Sequence, residues 1–147
     1  MSSASSIFMG PSEYEIFLQE NTPSHRKSSS RRARADHGNC VPIVITRAIG
    51  SEDVYLRRRK LLVNRSMTLT QMLSKLRARS PAALAAARAV SSSASMATST
   101  EALYVITSTC NTMVIGAFTA GEMDDQFAQP DGFVYLTVAK ENVFGGL

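Results

Sequence analysis

The sequence predicts an α+β fold: a four-stranded mixed sheet crossed by one central amphipathic helix, with a helical extension at the N-terminus. Three observations carry this. Four short β-branched or alternating segments lie along the chain, at residues 41–46, 54–63, 103–107 and 133–138. One stretch, residues 68–79, has strong helical periodicity. Turn signals, Gly50-Ser-Glu-Asp53 and Gln129-Pro-Asp-Gly132, punctuate the strands.

Residues 1–12 are mostly small and polar and are expected to form a disordered tail. Tyr14, Phe17 and Leu18 recur at i, i+3 and i+4, the spacing of a short amphipathic helix. Pro23 interrupts, and residues 27–35 read as a second, basic helix that stops at Gly38-Asn39. Residues 13–39 are thus the helical extension. Val41-Pro-Ile-Val-Ile-Thr46 reads as the first strand. In the second, Arg58, Lys60 and Leu62 fall on one face and Arg59, Leu61 and Val63 on the other. The two strands read as a hairpin.

The central helix is the clearest element. Leu69, Met72, Leu73 and Leu76 follow i, i+3, i+4 and i+7, a stripe for core packing. Thr68 with Gln71 fits a capping box, in which each side chain satisfies a free backbone N–H at the helix start. Pro81 disfavours helical geometry at Ser80. Residues 81–100 are an Ala-rich and then Ser-rich insertion within a domain expected to span residues 40–139. Thr119 and Glu122 repeat the capping-box spacing and predict a helix over residues 120–127, with Met123 and Phe127 one turn apart. Residues 140–147 run out as a flexible tail. An amphipathic helix buries one stripe and needs a sheet face to cover, so this order of elements gives a β-grasp plan.

Composition narrows the function classes. Hydrophobic residues make up 44%, enough for one modest core. Residues 1–40 carry five Lys/Arg against four Asp/Glu, residues 41–80 nine against two, and residues 81–147 two against six. The basic centre can meet acidic peptides, anionic lipid or nucleic acid, and charge alone does not choose. Cys40 and Cys110 have no CxxC spacing, which argues against a disulfide framework or zinc site and fits a reducing compartment. No apolar run reaches the roughly 20 residues of a membrane span. The start lacks a signal-peptide pattern, Glu13, Glu15 and Glu20 speak against a transit peptide, and Met1-Ser2 excludes N-myristoylation. His37 lies three residues before Cys40, but a thiolate–imidazole pair also needs an orienting group, and a turn is the plainer reading. With no phosphate loop and no metal spacing, the chain is expected not to be an enzyme and to hold no cofactor and no metal.

Two segments carry a resemblance. Asp131-Gly-Phe-Val-Tyr-Leu-Thr-Val-Ala-Lys-Glu-Asn-Val-Phe-Gly145 resembles the last strand and tail of the autophagy-related protein eight family, which includes GABARAP and the microtubule-associated light chains. Arg58-Arg-Lys-Leu-Leu-Val63, Thr68 with Gln71, and Arg77 with Arg79 resemble that family's second strand and central helix; residues 41–45 resemble its first strand. The resemblance implies a ubiquitin-like β-grasp with N-terminal helices, acting as a tag. A cysteine protease would trim the tail, and activating and conjugating enzymes would pass a glycine, Gly145 or Gly146, to phosphatidylethanolamine. The protein would be cytoplasmic, and on the autophagosome membrane when lipidated. Glycine suits this role because the side-chain-free backbone threads a narrow active site.

The resemblance also implies docking of linear motifs from cargo receptors on the second-strand edge. A first pocket maps to Pro42, Val44, Lys60, Leu62 and Phe133, and a second to Leu61, Val63, Met67, Met72 and Lys75. Arg58, Lys60 and Arg79 would attract acidic residues beside the motif. The chain departs from the family at several points. Ala33 replaces a larger aliphatic wall of the first pocket, Lys75 an apolar residue of the second, Cys40 an arginine, and His37-Gly38 an aromatic–proline pair. Residues 81–97 lengthen a loop. Two alternatives are weighed. One is a ubiquitin-like protein joined to another protein, as in the autophagy-related protein twelve family, or never conjugated. The other is an RNA-binding module suggested by Gly132-Phe-Val-Tyr135, which Asp131 opposes because that motif wants Lys or Arg before the glycine. No nucleic-acid partner is expected.

Overall fold

The computed structural model describes residues 10–77 and 103–140. In chain order the elements are α1 (Glu13–Glu20), α2 (Pro23–Asp36), β1 (Cys40–Arg47), β2 (Lys60–Asn64), α3 (Leu69–Arg77), β3 (Leu103–Thr107), α4 (Ala120–Phe127) and β4 (Val134–Lys140). The strands form one mixed sheet in the order β2-β1-β4-β3. β1 pairs antiparallel with β2, with Val41 opposite Val63 and Val44 opposite Lys60. It pairs parallel with β4, with Ile43 opposite Val134. β3 adds antiparallel to the far side of β4.

β1 is buried at every position from Val41 to Thr46. A strand covered on both faces needs an unbroken apolar run, which is what residues 41–45 supply. Its side chains alternate between two cores. Val41, Ile43 and Ile45 join Val134, Leu136 and Val138 of β4 under Leu69, Met72 and Leu76 of α3 and Met123 of α4. Val44 joins Phe133 and Tyr135 on the opposite face, packed by Tyr14, Phe17 and Leu18 of α1. The Tyr14 and Tyr135 rings meet edge-on at 5.2 Å. Both expected capping boxes form: Thr68 with Gln71, and Thr119 with Glu122. A third, Ser12 with Glu15, opens α1.

α2 has no apolar stripe, and polar contacts hold it instead. Arg26, Ser30 and Arg34 recur every four residues and face the turn before β4. Arg26 Nε donates to Asp131 Oδ2 at 3.0 Å, and the Ser30 hydroxyl donates to the Asp131 carbonyl. Arg34 reaches both Asp124 oxygens at 2.7 and 3.0 Å and the Gly132 carbonyl at 2.8 Å. Arg65, in the turn after β2, adds a bond to Asp124 at 2.9 Å. Glu13 of α1 takes Arg47 at 2.5 Å and Arg59 at 3.0 Å. The Arg34 hydrogen bonds hold the Asp124 carboxyl below the usual carboxylate range, against its burial. Burial acts to raise Glu13, but bonds from the Arg47 side chain and backbone and the Arg59 charge outweigh it and leave Glu13 lowered.

Several boundaries differ from the sequence reading. The second strand was expected over residues 54–63, but β2 begins at Lys60. Val54 and Leu56 are buried in the main core, so their alternation reports burial without a strand. The backbone there turns instead, with Ser51 N–H bonding the Ala48 carbonyl and Val54 N–H the Ser51 carbonyl. Arg47 Nη1 takes the Val54 carbonyl at 3.2 Å. The β1–β2 pair is therefore antiparallel but joined by a long connection. Pro23 does not break a helix: it opens α2 behind Thr22, whose hydroxyl accepts the His25 N–H. Proline is preset for a first helical turn, where its missing N–H costs nothing. Cys40 is the first residue of β1 rather than part of the turn. Phe133 precedes β4, its carbonyl accepting the Gln129 N–H. Residues 1–9, the insertion at 81–100 and the tail from 141 onward lie outside the described residues.

Gly132 has φ +93°, and a Cβ there would sit 2.3 Å from the Ser30 hydroxyl oxygen. Gly132→Ala is expected to cost about 2 kcal/mol or more in chemical denaturation, since strain and clash add. Both depressed carboxyls contribute stability that is complete above their ordinary pKa of about 4 and is lost as pH falls through the lowered values. Asp124→Asn lacks that share. Its melting temperature should lie below wild type at neutral pH, and the gap should narrow as pH drops towards about 3.

Candidate functional site

β2 is an edge strand, bonded to β1 on one side, with no strand on the other among the described residues. Its alternation sets what surrounds that edge. Leu61 and Val63 turn toward the main core, where Val63 is buried and Leu61 half-buried. Lys60 and Leu62 face the side of α2, and Leu62 is 39% exposed.

A cavity of about 330 Å³ opens beside β2. Leu61, Val63, Met67, Met72 and Leu76 give it an apolar lining; Arg57, Arg58, Lys60 and Lys75 give it four cations. Asn64 and Leu62 complete its lining among the described residues, none of them a carboxylate. All five residues assigned to the second pocket from sequence meet here, together with Arg58 and Lys60. Asn64 and Leu76 were not singled out for the site, and Arg57 only as part of the run of four cations at residues 57–60. Leu76 was legible as the i+4 partner of Met72, and Arg57 as the neighbour of Arg58.

The first-pocket residues also converge, but three of the five are packed core and only Lys60 and Leu62 are exposed. Pro42, Val44 and Phe133 are buried, with Val44 and Phe133 sealed against α1. Pro42 stands opposite Leu62, and Val44 opposite Lys60. Lys60 Nζ lies 5.9 Å above the Phe133 ring and 3.4 Å from the Ser29 hydroxyl of α2. The ammonium thus covers Phe133, while Ala33 is half-buried on α2. Arg79, Gly145 and Gly146 lie outside the described residues.

Two sets of cations contrast among the described residues. Arg26, Arg34, Arg47, Arg59 and Arg65 each hold a carboxylate of Glu13, Asp124, Asp125 or Asp131 within 3.2 Å. Arg57, Arg58 and Lys75 have no ion-pair partner among the described residues, and all three are exposed at the cavity. A second cavity, of about 360 Å³ between α1, α2 and the turn before β4, contrasts with it. Of its charged groups Arg26, Lys27 and Asp131, Arg26 and Asp131 bond each other, and the Tyr135 hydroxyl donates to Asp131 at 2.5 Å. That bond and burial push the Tyr135 pKa well above the usual phenol range, burial being the larger cause.

The family model for "Autophagy protein Atg8 ubiquitin like" matches residues 25–145, which take in every strand of the sheet. This chain belongs to the Atg8 family of ubiquitin-like autophagy proteins. It is 28% identical over 134 residues to microtubule-associated protein 1 light chain 3 gamma of Homo sapiens, across 89% of this chain and 79% of that one. It is 27% identical over 134 residues to autophagy-related protein 8b of Arabidopsis thaliana, across 91% of this chain and 96% of that one. The crystal structure of Trypanosoma brucei ATG8 superposes with a TM-score of 0.66 at 24% identity, across 90% of this chain and 97% of that one, a likeness of fold. Among the described residues of this Atg8-family chain, no helix is long and apolar enough to cross a membrane.

Unpaired cations contribute nothing to the fold by pairing, and neighbours of like charge repel. Reversing Arg57 and Arg58 to Glu should therefore leave the melting temperature unchanged within a few degrees, or raise it. Reversing Arg34 leaves Asp124 with Arg65 alone and sets a second carboxylate beside it in a partly buried site, and should lower it clearly. Differential scanning calorimetry of the two variants beside wild type checks the contrast.

Proposed function

We propose that this Atg8-family protein is a conjugated tag and a peptide adaptor rather than an enzyme. Its tail is trimmed by a cysteine protease, and activating and conjugating enzymes then pass Gly145 or Gly146 to phosphatidylethanolamine on the autophagosome membrane. From that membrane it docks linear motifs of cargo receptors; before conjugation it resides in the cytoplasm.

The open β2 edge, flanked by an apolar cavity where Arg57, Arg58 and Lys75 have no ion-pair partner among the described residues, is the observation that supports docking. An extended peptide satisfies unpaired edge N–H and C=O groups by adding a strand, and side chains entering pockets provide selectivity. Arg57, Arg58 and Lys75 attract acidic residues, and this raises the rate of encounter more than the final affinity. Support for conjugation comes from the family match, which runs through Gly145, and from Glu141-Asn-Val-Phe144 ahead of the glycines.

Replacing both Gly145 and Gly146 by Ala should abolish the membrane-associated form in cells and leave a single unconjugated mass. Intact mass spectrometry of the wild-type protein from starved cells should show a species ending at one of these glycines and another heavier by one phosphatidylethanolamine. A lipid adduct that survives the double substitution would refute the tail assignment. An adduct of protein size would instead place the chain among modifiers of other proteins.

A further inference from the structure

We propose that the cavity beside β2 selects a glutamate as the peptide's second anchor, and that Lys75 makes the selection. This deepens the docking reading and rests on it.

The cavity combines an apolar floor with a cationic rim drawn from two separate parts of the chain. Lys75 follows Met72 by three residues on α3, so both fall on the helix face that lines the cavity. Arg57 and Arg58 line it from the segment ahead of β2. Among the described residues no carboxylate lines the cavity to offset them. Asp124, Asp131 and Glu13, which could otherwise compensate, are already bonded to other arginines.

An aliphatic anchor would fill the floor but withdraw water from the Lys75 ammonium and supply no replacement. Desolvating a charge without a partner is costly. A glutamate lays its two methylenes on Leu61 and Met72 and brings a carboxylate to the rim. There it forms charge-assisted hydrogen bonds, which are roughly twice as strong as neutral ones. The summed field of clustered like charges favours one incoming negative charge further. Lys75 is itself exposed, so its replacement leaves the core untouched.

The test is fluorescence anisotropy with the full chain and two labelled peptides. They share an aromatic first anchor and differ only in Glu or Leu at the second. Wild type should bind the Glu peptide about tenfold more tightly, an advantage that shrinks with added salt. Lys75→Leu, with its melting temperature checked, should reverse the preference. Wild type preferring Leu would overturn the inference and leave peptide docking standing. A Glu preference that persists in Lys75→Leu would also overturn it, because another residue would be the selector. Binding of neither peptide to wild type would overturn the docking reading as well.

Discussion

The parallel pairing of β1 with β4 is the constraint on which the rest of the molecule depends. Parallel neighbours need a crossover, and here the crossover holds everything from β2 through α4. Both central strands are buried on their two faces, so each face requires its own cover. α3 and α4 provide one, and the N-terminal helices the other. With β1 and β4 in the middle, β2 and β3 fall to the edges. The β2 edge, where docking is proposed, is therefore a product of topology. It lies next to α3 because that helix follows β2 after a short turn.

The N-terminal cover is of two kinds, and the difference explains where the charges go. α1 packs aromatic and aliphatic side chains on Tyr135 and Phe133. α2 has no large apolar side chain to offer, and attaches through guanidinium groups and one hydroxyl to Asp124, Asp131 and the Gly132 carbonyl. Exposed ion pairs contribute little, but these carboxylates are mostly shielded: Asp124 is 10% exposed and Asp131 11%. Stability thus engages Asp124, Asp125 and Asp131, with Glu13 from α1, while Arg57, Arg58 and Lys75 have no ion-pair partner among the described residues. Net charge by segment gave no hint of this division, since Arg59 and Arg58 are neighbours yet only Arg59 meets a carboxylate.

Elements whose cause is local were legible in the sequence. The apolar run of β1, the stripe of α3 and the Thr–Gln and Thr–Glu caps depend on residues within one or two turns of each other. Leu103 to Thr107 and residues 120–127 emerged with the boundaries expected of them. What was not legible depends on distant contacts. α2 starts four residues earlier than the basic run suggests, because proline at a helix start looks like a break until the chain beyond it is seen. Val54 and Leu56 alternate like a strand, yet they plug the core from a turn whose carbonyls Arg47 holds. At the site, the residues lining the cavity, Arg57, Asn64 and Leu76 excepted, were readable one by one from the family resemblance. Which of them would be packed, and which left open, was not. Pro42, Val44 and Phe133 are closed over by α1 and Lys60, while the second group surrounds an open cavity.

That contrast bears on how a peptide could engage both positions. The ammonium over Phe133 is held by one long hydroxyl contact and by the ring face, an attraction worth about 0.5–1 kcal/mol at an exposed site. Lys60 has a flexible four-carbon stem and is exposed, so swinging it aside costs little more than that contact. Beneath it, however, Val44 and Phe133 are sealed against Tyr14, Phe17 and Leu18, and uncovering Phe133 yields a shallow apolar surface rather than a deep slot. The half-buried Ala33 on α2 offers only a methyl group for a wall. Under the docking proposed above, such a surface would suit a flat aromatic ring lying across Phe133 better than a side chain inserted deeply. The displaced Lys60, still on the β2 rim, would remain within reach of an acidic residue beside that ring.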